Sequence, residues 1–148
     1  MNSRDAVGDP AAIALDFATA HSASGFRLDF SLESLETEID RLLALPIFFR
    51  GREGSPTDQE SRNQAGISAY VGETLRRLFQ GRWGGEFYPD RNEVNFYTSF
   101  VDFTGYRYWP SHFISYRLTN WPGEGTFAQH LEKALLTIGK HVAQENAE

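Results

Sequence analysis

Apolar residues recur at helical spacing in three long stretches of the chain and change to alternation in a fourth. Leu32, Leu35, Ile39, Leu42 and Leu43 fall on one helical face. Ile67, Val71, Leu75, Leu78 and Phe79 form a second stripe, and Phe127, Leu131, Leu135, Ile138 and Val142 a third. Each stripe has end signals. Ser31 predicts an N-cap, Phe30 can staple onto Leu35, and Pro46 stops that helix. Thr57 and Glu60 have the spacing of a capping box, and Gly81 stands where a helix C-terminus favours positive φ. Thr126 and Gln129 form a second box. Asp9 and Pro10 predict a further helix that runs to about Ala20. Gly25 breaks it, and residues 26–30 are expected to be extended. Ala65, Ser68, Ala69 and Gly72 make a strip of small residues that lets another backbone approach closely.

Past Trp83 the period becomes two. Thirteen of the 21 aromatic residues lie between Trp83 and Trp121. Strands are expected at 83–88, 93–98, 100–103 and 106–109, with a turn at 89–92 and a tight hairpin at Thr104-Gly105. Pro110 closes the sheet, and 111–120 predicts a short helix capped by Ser111. A polar loop is expected at 51–61. These elements define an α+β fold, an antiparallel β-meander of three to four strands packed by N-terminal, central and C-terminal helices. At 148 residues the chain fits a single domain, 1–148, with 1–8 and 144–148 frayed.

Charge changes the picture in one respect. The net charge is −6, with 14 Lys+Arg against 20 Asp+Glu. The first 60 residues alone sum to −6, whereas 61–121 sum to +2 and 122–148 to −2. That balance argues against nucleic acid as a partner, because phosphate binding needs a basic surface. No apolar run is long enough for a membrane span, and the acidic opening residues do not read as a secretory signal. A cytoplasmic location is the expectation. With no cysteine there is no disulfide, thiolate metal site or cysteine nucleophile.

The candidate chemistry is sparse. His21, His112, His130 and His141 have no metal-ligand spacing, and no serine sits in a nucleophile elbow, so neither a metal, a cofactor nor enzymatic activity is expected. Gly81-Arg82-Trp83-Gly84-Gly85 follows a helix instead of preceding one and reads as a helix stop, not a phosphate loop. Glu73, Arg76 and Arg77 meet at i+3 and i+4 on the side expected to lie opposite the buried stripe. They form either a surface ion-pair cluster or an anion-binding clamp in which Glu73 orients an arginine. Glu33, Glu36 and Asp40 line an acidic flank, which is either a solvated helix face or a field that steers a basic partner. Alternation places Tyr106 and Tyr108 on one sheet face and Arg107 and Trp109 on the other; Tyr106, Tyr108 and Trp109 are candidate interface anchors.

The stretch GISAYVGETLRRLFQGRW, Gly66–Trp83, is similar to a pattern in small uncharacterised bacterial proteins: small residues, Tyr-x-Gly-Glu, a basic position, then Gly-x-Trp opening a sheet. LDFSLESLETEIDRLLAL resembles the helix before it in those proteins, and the proline and closing amphipathic helix extend the likeness over Leu28–Leu136. The family is a domain of unknown function, and the resemblance implies an α+β fold. Some such proteins look like immunity proteins that neutralise bacterial toxins. The expectation is therefore a non-catalytic binding protein whose partner is a basic toxin or effector domain. The alternative is a small-ligand or anion-binding domain that uses Glu73, Arg76 and Arg77.

Overall fold

A computed structural model describes residues 9–50, 54–88, 93–120 and 125–147. The elements in chain order are α1 Pro10–Ser22, α2 Leu32–Thr37, α3 Ile39–Leu43, α4 Asp58–Phe79, β1 Arg82–Tyr88, β2 Glu93–Phe103, β3 Tyr106–Tyr108, α5 Pro110–Thr119 and α6 Phe127–Ala147. The three strands form one open antiparallel sheet in the order β1-β2-β3. The fold is α+β, as the change of period predicts.

Most end signals act as the sequence predicts. The Asp9 carboxylate accepts from the Ala11 N–H, and Ser31 accepts from the Ser34 N–H. Thr57 and Glu60 complete a reciprocal capping box, and so do Thr126 and Gln129. Thr104 and Gly105 both have positive φ, 54° and 95°, the twist that a two-residue hairpin needs.

Several boundaries differ from the expectation. The helix that starts after Ser31 is divided at Glu38 into α2 and α3. Residues 26–30 form no strand. Phe30 has φ 60°, donates its backbone N–H to the Tyr70 hydroxyl and packs its ring on that of Tyr70 at 4.9 Å. The left-handed residue that ends α4 is Gln80, with φ 56°, and not Gly81. Gly81 is small for another reason, since a Cβ there would come within 2.6 Å of Val101 and 2.7 Å of Phe103. The two strands expected at 93–98 and 100–103 are one strand, and β3 stops at Tyr108 because Pro110 opens α5 at its first helical position. Trp109 therefore takes the N-cap position, and Ser111 lies inside the helix. α6 runs to Ala147 through residues expected to fray. The turn expected at 89–92 lies outside the described residues.

α4 is the central element. Ile67, Tyr70, Val71 and Leu75 are fully buried, whereas Leu78, expected on the stripe, is 42% exposed. α1 packs on it through Gly66, where an added Cβ would come within 2.5 Å of the Phe17 ring. Gly66 lies next to the strip of Ala65, Ser68, Ala69 and Gly72 and is not a member of it; within the strip, Gly72 leaves room for the side chains of Trp83 and Pro110. The sheet lays Trp83, Val101, Phe103, Tyr106 and Tyr108 toward the helices, while Arg82, Gly84, Phe100, Asp102 and Arg107 occupy its other face.

Candidate functional site

Near the C-terminal end of α4, Tyr70, Gly72, Glu73, Arg76 and Arg77 meet Phe30 and Trp83. The Glu73 side chain is 1% exposed. Its place at i+3 and i+4 from the arginines correctly predicts the ion pairs, but the expected surface position is wrong. α4 is covered on more than one side, and Glu73 lies under its own partners. The carboxylate accepts from Arg76 Nε at 2.7 Å and an Arg76 terminal N–H at 2.8 Å, from Arg77 Nε at 2.8 Å, and from the Trp83 indole at 2.9 Å. Four donors fill the carboxylate. Burial pushes its pKa upward, and the N–H groups of Arg76, Arg77 and Trp83 outweigh that and hold it down at about 2. The same bond raises the pKa of Arg76, with a smaller contribution from the charge of Asp9.

Neighbouring groups lock this cluster. The Arg77 guanidinium lies 3.9 Å over the Phe30 ring, a cation–π contact. Tyr70 takes the Phe30 N–H at 3.0 Å and bonds the Ser34 hydroxyl at 2.6 Å, which ties the start of α2 to α4. Trp83 fits because Gly72 has no side chain, since a Cβ there would lie 2.3 Å from the indole and 2.9 Å from Pro110. The Tyr-x-Gly-Glu…Trp spacing is thus one interlocked joint between α2, α4, β1 and the start of α5.

The acidic flank is less uniform than its sequence implies. Glu33 is exposed and pairs with Arg27 at 2.8 Å, and Glu36 is exposed. Asp40 is a structural residue. Its carboxylate accepts from the backbone N–H groups of Phe127 at 2.8 Å and Ala128 at 3.0 Å, and so caps α6. Asp40 therefore leaves the candidate docking flank.

The aromatic candidates also separate. Tyr108 is buried, which removes it as an exposed anchor; its hydroxyl bonds His130 Nε2 at 2.9 Å. Tyr106 is half-buried and stacks on His141 at 5.4 Å. Trp109 lies elsewhere, beside Phe100 at 5.8 Å and stacked on His112 at 5.8 Å, with Arg107 4.3 Å over the Phe100 ring. Asp40 at the start of α6 and Tyr106 beside His141 are fourteen helical positions apart, about 21 Å at 1.5 Å per residue. The structure therefore assembles the Glu73 cluster but not a single acidic-aromatic surface.

Sequence reasoning missed the pairing of histidines with aromatics. His130 stacks on Phe113 at 3.6 Å, and burial, with a smaller effect from Lys133, lowers its pKa to about 4. His130 and His141 each stand three positions after a stripe member, Phe127 and Ile138, the spacing that could have placed them at the edge of the inner face. Among the described residues, no group of three His, Cys, Asp or Glu could hold a metal ion, and no helix is long and apolar enough to cross a membrane. No family model, curated protein or solved structure matches the chain.

Proposed function

We propose that this chain is a non-catalytic bacterial binding protein of the immunity type, which neutralises a basic toxin or effector domain. The observation that carries this reading is the outer face of the sheet, where Phe100 and Trp109 are half-exposed beside exposed Arg107 and His112. Aromatic rings and arginine are the usual anchors of protein interfaces. Gly84 has a defined part in this patch. A Cβ there would lie 2.5 Å from Phe100, so glycine lets the ring lie flat across β1.

The net charge of −6 gives the partner its sign. Exposed Glu33 and Glu36 act through the long-range field and need not border the aromatic patch, because steering extends over a Debye length of about 10 Å at 0.1 M salt. The titratable groups fit a binding role. Glu73 stays ionised with its lone pairs filled, and His130 stays neutral against Phe113, so neither is poised for proton transfer near neutrality.

The test is affinity capture from the native host, with the parent protein and Trp109→Ala as bait, followed by surface kinetics on the captured partner. A basic protein retained by the parent and released at least tenfold faster by the variant is the expected result. Higher salt, or charge reversal at Glu33 and Glu36, should slow association and leave dissociation nearly unchanged. Absence of a basic partner, or a partner indifferent to Trp109, would overturn the proposal.

A further inference from the structure

Arg76 and Arg77 are fixed more firmly than surface arginines and only partly used. A guanidinium carries five N–H donors. Glu73 takes two from Arg76 and one from Arg77, which leaves three and four. The two side chains remain 34% and 43% exposed. They are also close together. An Arg76 terminal nitrogen and Arg77 Nε both bond the same Glu73 oxygen at 2.8 Å, so they lie no further apart than twice that distance.

We propose that Arg76 and Arg77 form a preorganised site for an oxyanion of the phosphate or carboxylate class, carried by a small ligand and separate from the sheet surface. Three features support it. One carboxylate against two guanidiniums leaves the cluster with a net positive charge in an acidic protein. Among the described residues, neither arginine has a second carboxylate within ion-pair distance, and Asp9 acts on Arg76 only from further away. The forks are held in advance, Arg76 by a two-point bond to Glu73 and Arg77 by Glu73 below and the Phe30 ring beside it. Such fixing removes much of the side-chain entropy that binding otherwise costs. A structural joint needs Glu73 satisfied; it does not need the remaining donors at the surface.

The experiment titrates the full-length, 15N-labelled protein with inorganic phosphate and, separately, with acetate, each against chloride at matched ionic strength. The signals followed are the Nε–H groups of Arg76 and Arg77 and the Trp83 indole N–H, which reports through Glu73. Saturable shifts confined to these signals are expected, with half-saturation at about 1 mM or below. Saturation by phosphate alone assigns a phosphate-type ligand, and saturation by acetate alone a carboxylate. Arg77→Lys keeps the charge and removes the fork, and should weaken binding about tenfold while the protein stays folded. Where the variant does not fold, the parent titration decides alone. Shifts that are linear and match those of chloride, or a folded Arg77→Lys that binds as the parent does, would overturn the site.

Discussion

The indole of Trp83 occupies the space where any residue other than glycine at position 72 would place its side chain, with 2.3 Å between the ring and an added Cβ. The contact and the bond from the same indole to Glu73 depend on each other, because moving the ring off α4 also strips a donor from a buried carboxylate. Gly72→Ala should therefore destabilise the protein. The rise in helix propensity, about 1 kcal/mol, opposes an overpacking cost of about 1–3 kcal/mol and the loss of a charge-assisted hydrogen bond. With about 1.5–3 kcal/mol for that bond, a net loss of about 1.5–5 kcal/mol in urea unfolding is expected. A variant as stable as the parent would show that Trp83 moves freely.

Gly139 gives the opposite case on another helix. It lies within α6, and a Cβ there meets nothing within 4 Å. Gly139→Ala should stabilise by roughly 0.5–1 kcal/mol through backbone propensity alone. The pair of variants separates glycine kept for space from glycine with no steric purpose, and a thermal melt of each reads the sign.

The first turn of α6 has a complete set of acceptors. Asp40 takes the N–H groups of Phe127 and Ala128, and the Thr126 hydroxyl takes that of Gln129. Asp40→Ala should cost about 1–2 kcal/mol, since it removes both a cap and a negative charge at a helix N-terminus. Glu36→Ala, on the same flank but exposed, should change stability by less than about 0.5 kcal/mol. Equal urea midpoints for the two variants would return Asp40 to the solvated flank.

Asp40 also shows where sequence reading stops. Local signals are legible: the caps at Asp9, Ser31, Thr57 and Thr126, the hairpin at Thr104-Gly105, and the Glu73–Arg76–Arg77 spacing all act within a few residues along the chain. Asp40 caps a helix 87 residues away, and no local pattern encodes that. Glu73 is a similar case. Its partners can be read from i+3 and i+4 spacing, but its burial depends on Trp83 and on elements packed over α4. Alternation puts Tyr108 on the correct sheet face, but which face the helices cover is a tertiary outcome. Glycine usually marks a helix end, which points to Gly81 as the left-handed residue after α4. Close packing of Val101 and Phe103 accounts for that glycine instead, and Gln80 makes the turn.

His130 makes stability depend on pH between about 6.5 and 4. Burial lowers its pKa from 6.5 to about 4 in the folded state, with the ring stacked on Phe113 and bonded to the Tyr108 hydroxyl. As pH falls through 6.5 the unfolded chain takes up a proton at this site while the folded protein does not. Unfolding is therefore favoured, by up to about 1.4 kcal/mol per pH unit, until the folded pKa near 4 is reached. His21, whose pKa burial also lowers, acts in the same direction. Glu73 contributes at lower pH. Its carboxyl is depressed from 4.5 to about 2, so its stabilisation is full above 4.5 and is lost only as pH falls toward 2. The interval from 6.5 to 4.5 thus isolates the histidines. His130→Gln, which can still bond the Tyr108 hydroxyl but does not titrate, should lower stability at pH 7.5 and flatten its decline between pH 6.5 and 4.5. Urea midpoints at four pH values in that interval, for parent and variant, measure the slope. Parallel slopes would show that His130 titrates alike in the folded and unfolded chain and that its contact with Phe113 does not exclude the proton.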